Sequence, residues 1–346
     1  QDKVYLKFLY TTKISKGLVD HFKKGFKFIL KQKLIKEGDF VLDIGSNDGS
    51  NLNIFKKNKF NILGIEPAKN LAKLANRNGI KTLNEFFSKN TVTKILKTKK
   101  KPNLICIYNT MANIDNLNEF MKNLLLLVSK DTYISIESFS LYGIVKHNLF
   151  DNIYHEHLSY FHVENLQKYF KKFGLYVIYA ENNKIKGGSI KLILSKKKKF
   201  SKSVQKVIRD EQKLKLNSSE IFSHLIKKNY KLKINLANLL NKFDNKTIGG
   251  YGASVGSTAL IHYYSITNKL KLLYDDDKIK NNLYSPSTNI KVVNPNLNNL
   301  KKVDVIIIIA WRYKKNIIKV FNKKFKSLKN KIKLYQILPN IKKIKF

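Results

Sequence analysis

Residues 41–51 read VLDIGSNDGSN. An apolar run from Val41 to Ile44, broken only by Asp43, gives way to glycines at 45 and 49 and then to NLNIF, whose spacing is helical. The pattern is strand, tight turn, helix. Glycines at such a junction let the backbone approach a ligand closely and take dihedral angles that other residues avoid. The spacing G-x-x-x-G differs from the G-x-G-x-x-G of dinucleotide sites, and no Lys-Ser/Thr pair follows, which excludes a phosphate-gripping loop. Asp43 and Asp48 make the loop acidic, so it suits a cationic ligand better than a pyrophosphate. S-adenosylmethionine, with its sulfonium and ammonium groups, fits that description. A plain glycine turn with Asp48 as a helix N-cap is the competing reading. Glu66 and Asn109 weigh against it: Glu66 ends the second strand, where a carboxylate can accept from both ribose hydroxyls, and Asn109 ends the third long strand, where the open sheet forms its ligand crevice.

Outward from this stretch the chain alternates. Residues 12–34 predict a helix with Leu18, Phe22, Phe26 and Ile29 on one face. KFNILGIEP, KPNLICIYN and DTYISIESFS read as strands, and NLAKLANRNG and NLNEFMKNLLLLVSK as the helices between them. That is the rhythm of a doubly wound α/β domain. LYVIYAE and SIKLILS, on either side of the turn KGG, read as antiparallel additions to its sheet. A polar helical connector follows. A second α/β unit begins at KTIGGYGASVGSTALIHYY, again strand, glycine loop and helix, and continues through LKLLYDDD and VDVIIIIAW. The expected division is 1–198, a connector over 199–244, and a smaller α/β domain over 245–346.

The 346 residues suffice for two ordinary cores, and 43% hydrophobic content marks a globular chain. No apolar run has the length of a membrane span, and QDKVYLKFLY does not read as a signal peptide, so a cytoplasmic location is the expectation. Cys106 is the single cysteine, which leaves neither an internal disulfide nor a cysteine-based zinc site. The net charge of +43 invites a nucleic-acid partner. The lysines, however, are spread along the whole chain among Asn and Ile, and Arg, which reads bases and phosphates bidentately, is scarce. Compositional drift accounts for the excess better, and the positive field would also draw in an anionic small molecule.

Tyr154, His155, Glu156 and His157 are consecutive, with Tyr160, Phe161 and His162 close behind. Imidazole titrates near neutrality, a carboxylate can orient it, and a phenol can donate to a developing enolate, so acid–base work is the favoured reading. Metal binding lacks an obvious third ligand. A polar loop of satisfied histidines is the bland alternative.

On VLDIGSNDGS, YHEHLSYF, GGSIKL, GYGASVGSTAL and YDDDKIKNNLYSPSTNI, in that order, the sequence resembles the S-adenosylmethionine-dependent C-methyltransferases of nucleotide-linked deoxysugars. The resemblance implies a Rossmann-like class I methyltransferase domain, joined by a helical connector to a smaller Rossmann-like C-terminal domain. It implies methylation of a carbon next to a ketone on a dTDP-type sugar, with His157 as base, Tyr154 and Glu156 supporting it, and Tyr10 as a further active-site tyrosine. It gives Asp43, Gly45, Asn47, Asp48, Gly49, Glu66 and Asn109 to the cofactor. It gives Lys186, Gly188, Ser189, Tyr251, Gly252, Ala253 and Gly256 to the nucleotide-sugar substrate. Three departures stand out. Such enzymes usually open with a cysteine-rich zinc domain, which is lost or lies upstream of Gln1. Asn113 stands where His is common, and Lys186 where His or Asn is usual. A methyltransferase acting on RNA or another polyanion, one acting on oxygen or nitrogen of a small molecule, and a non-catalytic partner subunit are the alternatives. The first lacks its expected NPPY-type motif or loop cysteine. Oligomeric state is not legible.

Overall fold

The computed structural model describes residues 5–6, 11–14, 17–97 and 100–346. They form two compact units, Gln1–Tyr142 with Glu156–Leu216, and Gly143–His155 with Asn217–Phe346.

The first unit is built on seven strands: β1 (Phe40–Ile44), β2 (Asn61–Ile65), β3 (Thr82–Leu83), β4 (Leu104–Tyr108), β5 (Tyr133–Phe139), β6 (Tyr176–Asn183) and β7 (Ser189–Ser195). Their order is β3-β2-β1-β4-β5-β7-β6. All neighbours are parallel except β7, which runs antiparallel to both β5 and β6. The expected antiparallel pair is therefore an insertion of β7 between β5 and β6. The central strands read as near-continuous apolar runs because helices cover both faces. One face carries the helix Leu18–Lys31, whose Phe26 packs edge-on against Phe55 and Phe60. The other face buries Leu42, Ile105, Ile107, Ile134 and Ile136 against the helix Leu117–Leu127.

The second unit carries β8 (Ile248–Tyr251), β9 (Leu272–Tyr274), β10 (Val292–Val293), β11 (Val305–Ile308), β12 (Lys333–Gln336) and β13 (Lys342–Ile344). Their order is β10-β9-β8-β11-β12-β13, with only β13 antiparallel. Ile306, Ile307 and Ile308 are fully buried on alternating faces, which explains the unbroken apolar run VIIII.

The two units repeat one device. In each sheet the strand order reverses between two central parallel strands, β1 and β4 or β8 and β11, and a glycine turn leaves the first of them there. Gly45 has φ +75°, and a Cβ on it would fall 2.2 Å from the Thr110 Oγ1 that follows β4. Gly252 has φ +115°, and a Cβ on it would fall 2.8 Å from the Ala310 backbone nitrogen that follows β11.

The expected connector is two helices, Lys202–Lys213 and Glu220–Asn241, and they belong to different units. The first joins the first unit because Val204, Val207 and Ile208 complete its core. The second joins the second unit through Leu232, Leu236 and Leu240. The boundary expected at residue 245 also misses an excursion: residues 143–155 belong to the second unit. Buried Asn148 exchanges hydrogen bonds with Asn229 (2.8 and 3.3 Å), and the Tyr264 hydroxyl donates to Asn229 (3.1 Å). Burying these polar groups is tolerable only because they satisfy one another. Among the described residues no helix is long and apolar enough to cross a membrane.

Gly252→Ala should lower the stability of the second unit by about 2 kcal/mol, since the new Cβ meets backbone and the φ is one L-residues avoid. Thermal unfolding against wild type and an Ala253→Gly control reads this directly; an unchanged midpoint would contradict the close packing at Ala310.

Candidate active site

The carboxyl ends of β1, β2 and β4 carry the residues expected at the cofactor. Gly45 and Ser46 both donate their N–H groups to the Ile65 carbonyl, 2.8 and 3.0 Å away, which folds the loop back over the end of β2. Glu66 is buried there. Its Oε2 accepts from the Asn47 N–H (2.8 Å) and its Oε1 from the Ala68 N–H (2.9 Å). Each oxygen keeps a further lone pair for a ligand hydroxyl. Burial raises the carboxyl's pKa, and these two N–H groups act against the rise. Asn109 follows β4 with φ +54°, and its Oδ1 is buried without a hydrogen-bond partner. An orphaned acceptor, a carboxylate with spare lone pairs and a turn where no Cβ fits make a set suited to an adenosine group. Gly49, at φ +75°, is tight for another reason: a Cβ there would press on Ile80.

The acidic side chains of the loop serve the protein. Asp43 Oδ2 accepts from Asn51 Nδ2 (2.9 Å), fastening the helix Ser50–Lys57 to β1. Full burial lifts the Asp43 carboxyl to about 7, opposed by the Asn51 bond and helped by the nearby Glu66 charge. Asp48 Oδ1 accepts from the Ser50 N–H and Oδ2 from the Lys13 N–H, at 3.1 and 3.0 Å. Gly49, not Asp48, occupies the helix cap. Asn47 Oδ1 accepts from the Thr12 N–H (2.9 Å), the Thr12 hydroxyl (3.1 Å) and the Asp48 N–H (2.9 Å). Asn47 and Asp48 thus strap residues 12–13 to the glycine loop.

The ends of β4 and β5 gather the second group of residues in the first unit. His157 is buried, with its ring 4.1 Å from the Phe139 ring at the end of β5. Lys186 Nζ lies 5.9 Å from the same ring. Lys186 stands at φ +49° in the turn between β6 and β7, and the Ser189 hydroxyl closes that turn on the Ile185 carbonyl (3.1 Å), as does the Gly188 N–H (2.9 Å). The backbone after His157 is anchored: Leu158 and Ser159 both donate to the Ala112 carbonyl (2.9 and 3.2 Å), and Leu141 donates to the Phe161 carbonyl (2.7 Å). The Tyr5 phenol faces the Asn113 side chain and the Glu156 carboxylate, and burial with that charge pushes its pKa up to about 12. Tyr10 lies outside the described residues. Tyr154 and His155 fall in the second unit, Tyr154 half-buried and His155 exposed. His162 parts from the cluster: it is buried with its Nδ1 3.6 Å from Glu211, whose carboxylate accepts the Val163 and Glu164 N–H groups at the start of a helix.

In the second unit Tyr251 is buried: its hydroxyl donates to Asp276 (2.9 Å), and its carbonyl accepts from the Ile309 and Ala310 N–H groups (2.9 and 2.8 Å). The Ala253 N–H is already given to Asp275 Oδ2 (2.8 Å). Gly256 is a packing glycine: a Cβ there would fall 2.7 Å from the Asp151 carbonyl oxygen.

Sequence reading overlooked several participants. Thr110 and Ala112 act through packing and a backbone carbonyl, which leave no residue signature. Glu137 did leave one: YISIESF places Ser135 and Glu137 at alternate positions of a strand buried on both faces. The Glu137 carboxylate pairs with His21 Nε2 (2.7 Å) and accepts from Asn183 (3.4 Å).

Residues 20–180 match the model of a methyltransferase domain, and residues 184–335 match that of the C-methyltransferase C-terminal domain. The chain is 24% identical over 323 residues to the C-methyltransferase NovU of Streptomyces niveus, covering 92% of this chain and 77% of that protein. Among solved structures, magnesium protoporphyrin IX methyltransferase (ChlM) from Synechocystis PCC 6803 with bound SAH is similar over 52% of this chain and 84% of that one, at 11% identity and a TM-score of 0.41. The plantazolicin methyltransferase BpumL in complex with SAH is similar over 52% and 83%, at 15% identity and a TM-score of 0.40. Glycine turn, strand-end carboxylate and matching domain model together define an S-adenosylmethionine-dependent methyltransferase. The match over residues 184–335 adds that it is a C-methyltransferase.

The carboxyl of Asp43 gives a pH test. Its folded value near 7 lies above the usual 3.8, so between those values the folded state holds a proton that the unfolded chain releases. Stability contributed by this group is full below about pH 4 and is lost as pH rises toward 7. Asp43→Asn, which can still accept from Asn51, should flatten the melting temperature across that window. A variant with the wild-type slope would show that Asp43 is ionised throughout.

Proposed function

We propose that this C-methyltransferase methylates a carbon next to a ketone on a nucleotide-linked, dTDP-type deoxysugar, with His157 as the base. The observation that carries the reading is the burial of His157 on Phe139, in the unit that also holds the Glu66 and Asn109 strand ends. A ketone acidifies the adjacent C–H, and a base within hydrogen-bond reach can take that proton. A buried imidazole next to an aromatic ring is held in one orientation, which such a transfer needs. Tyr154 and Glu156 are assigned to support the base and the keto oxygen; Tyr5, which faces Glu156, joins them. S-adenosylmethionine supplies an electrophilic methyl group when bound. Gly45, Glu66 and Asn109 would hold it, with Asp43, Asn47, Asp48 and Gly49 shaping the loop. Lys186, Gly188, Ser189, Tyr251, Gly252, Ala253 and Gly256 are assigned to the nucleotide-sugar substrate.

The test is incubation with methyl-labelled S-adenosylmethionine and a panel of dTDP-4-keto-deoxysugars, with total RNA in a parallel tube. Label on a sugar carbon that also loses its proton is the expected result. Label in RNA alone, with binding that weakens steeply in salt, would make the +43 charge the true signal. His157→Ala should abolish turnover while leaving cofactor affinity nearly unchanged, and full activity in that variant would remove the base assignment. Glu66→Ala should weaken S-adenosylmethionine binding about 10- to 100-fold, the loss expected for hydrogen bonds to a charged acceptor; calorimetry measures it.

A further inference from the structure

Arg312 is one of three arginines among 67 Lys and Arg residues. In a chain so dominated by lysine, a guanidinium draws notice where its fork geometry is used, since an ammonium cannot reproduce it. Here it is used on two consecutive side chains. Nη2 lies 2.8 Å from Asp151 Oδ2, and Nη1 donates to Asn152 Oδ1 at 2.7 Å. Asp151 is buried, with its side chain 6% exposed, whereas that of Arg312 is 25% exposed. The ion pair sits at the carboxyl edge of the second sheet, because Arg312 follows β11 by four residues.

The same short segment is fastened by the second unit at further points. Asn148 is locked to Asn229, and the Phe150 ring lies 4.4 Å from the Tyr263 ring. The Asp151 carbonyl oxygen presses on Gly256, where any side chain would collide. The segment then turns: the Asn152 N–H donates to the Leu149 carbonyl (2.9 Å) and the Ile153 N–H to the Phe150 carbonyl (3.1 Å). The next residue is Tyr154, the first of YHEH. The carboxylate at 151 is buried inside the second unit with Arg312 as its ion-pair partner. Its burial raises the Asp151 pKa against the pull of Arg312, so it costs stability that an apolar residue would not.

We infer that Arg312 is a positioning residue: by gripping Asp151 and Asn152 it fixes the turn that delivers Tyr154, the first residue of YHEH. The inference rests on the proposed role of YHEH, but the position of the turn is measurable without any substrate.

Two variants serve, because Arg312→Ala leaves a buried carboxylate uncompensated and can unfold the unit. The second is the neutral pair Asp151→Asn with Arg312→Gln, which removes the ion pair and leaves no buried charge without a partner. Hydrogen–deuterium exchange on the full chain should show the Asn152 and Ile153 amides exchanging at least tenfold faster in the double variant, with peptides from β11 unchanged. Wild-type exchange at 152–153 in a folded double variant would overturn the inference. With a labelled dTDP-4-keto-deoxysugar as acceptor, kcat should fall at least tenfold at nearly constant KM, and Arg312→Lys should recover little. A rise in KM with kcat intact would instead make Arg312 a substrate contact and also overturn it. Full activity in a parallel His157→Ala sample would sink the base assignment while leaving the exchange result to decide the role of Arg312.

Discussion

Close approach between a glycine turn and the residue that follows the neighbouring strand is the constraint on which both units depend. Gly45 meets Thr110, and Gly252 meets Ala310, each where the strand order reverses. A side chain at either glycine would push the two strand ends apart. The turn would then no longer fold back on the next strand, where Gly45 and Ser46 bond Ile65 and Gly252 bonds Tyr274. Everything placed at the carboxyl edges follows from this: Glu66 and Asn109 in the first unit, Asp275 and Arg312 in the second.

Around that constraint the buried polar groups act as fasteners. Asp43 ties a helix to β1, Asn47 and Asp48 hold residues 12–13, and Glu211 caps a helix beside His162. Each carboxylate or amide is paid for by a partner, because an unpartnered one would cost more than its packing returns. Asn109 Oδ1 departs from that rule, and it lies where a ligand is expected.

Charge is the least informative feature of this chain. A net +43 is spread over lysines that mostly face solvent, where each contributes little to any one contact. The features that carry the fold and its strand-end site are few and mostly uncharged: two glycine turns and one buried carboxylate.

Alternation of apolar strands with amphipathic helices, and glycines at 45, 49 and 252, were enough to determine two doubly wound α/β units and a cofactor loop. Both signals are local: strand burial and turn geometry are written in consecutive residues. The insertion of β7 was half legible, since its antiparallel sense follows from the short KGG turn but its neighbours do not. Tertiary structure alone decided the rest. Residues 143–155 join the second unit because Asn148, Phe150 and Asp151 find partners about 80 to 160 positions away in sequence, at Asn229, Tyr263 and Arg312. Local spacing carries no trace of such pairings. For the same reason Tyr5 emerged beside Glu156, and Asp48 was found holding the Lys13 N–H. Sequence shows which side chains can do chemistry; which of them are free to do it depends on the partners that folding brings to the others.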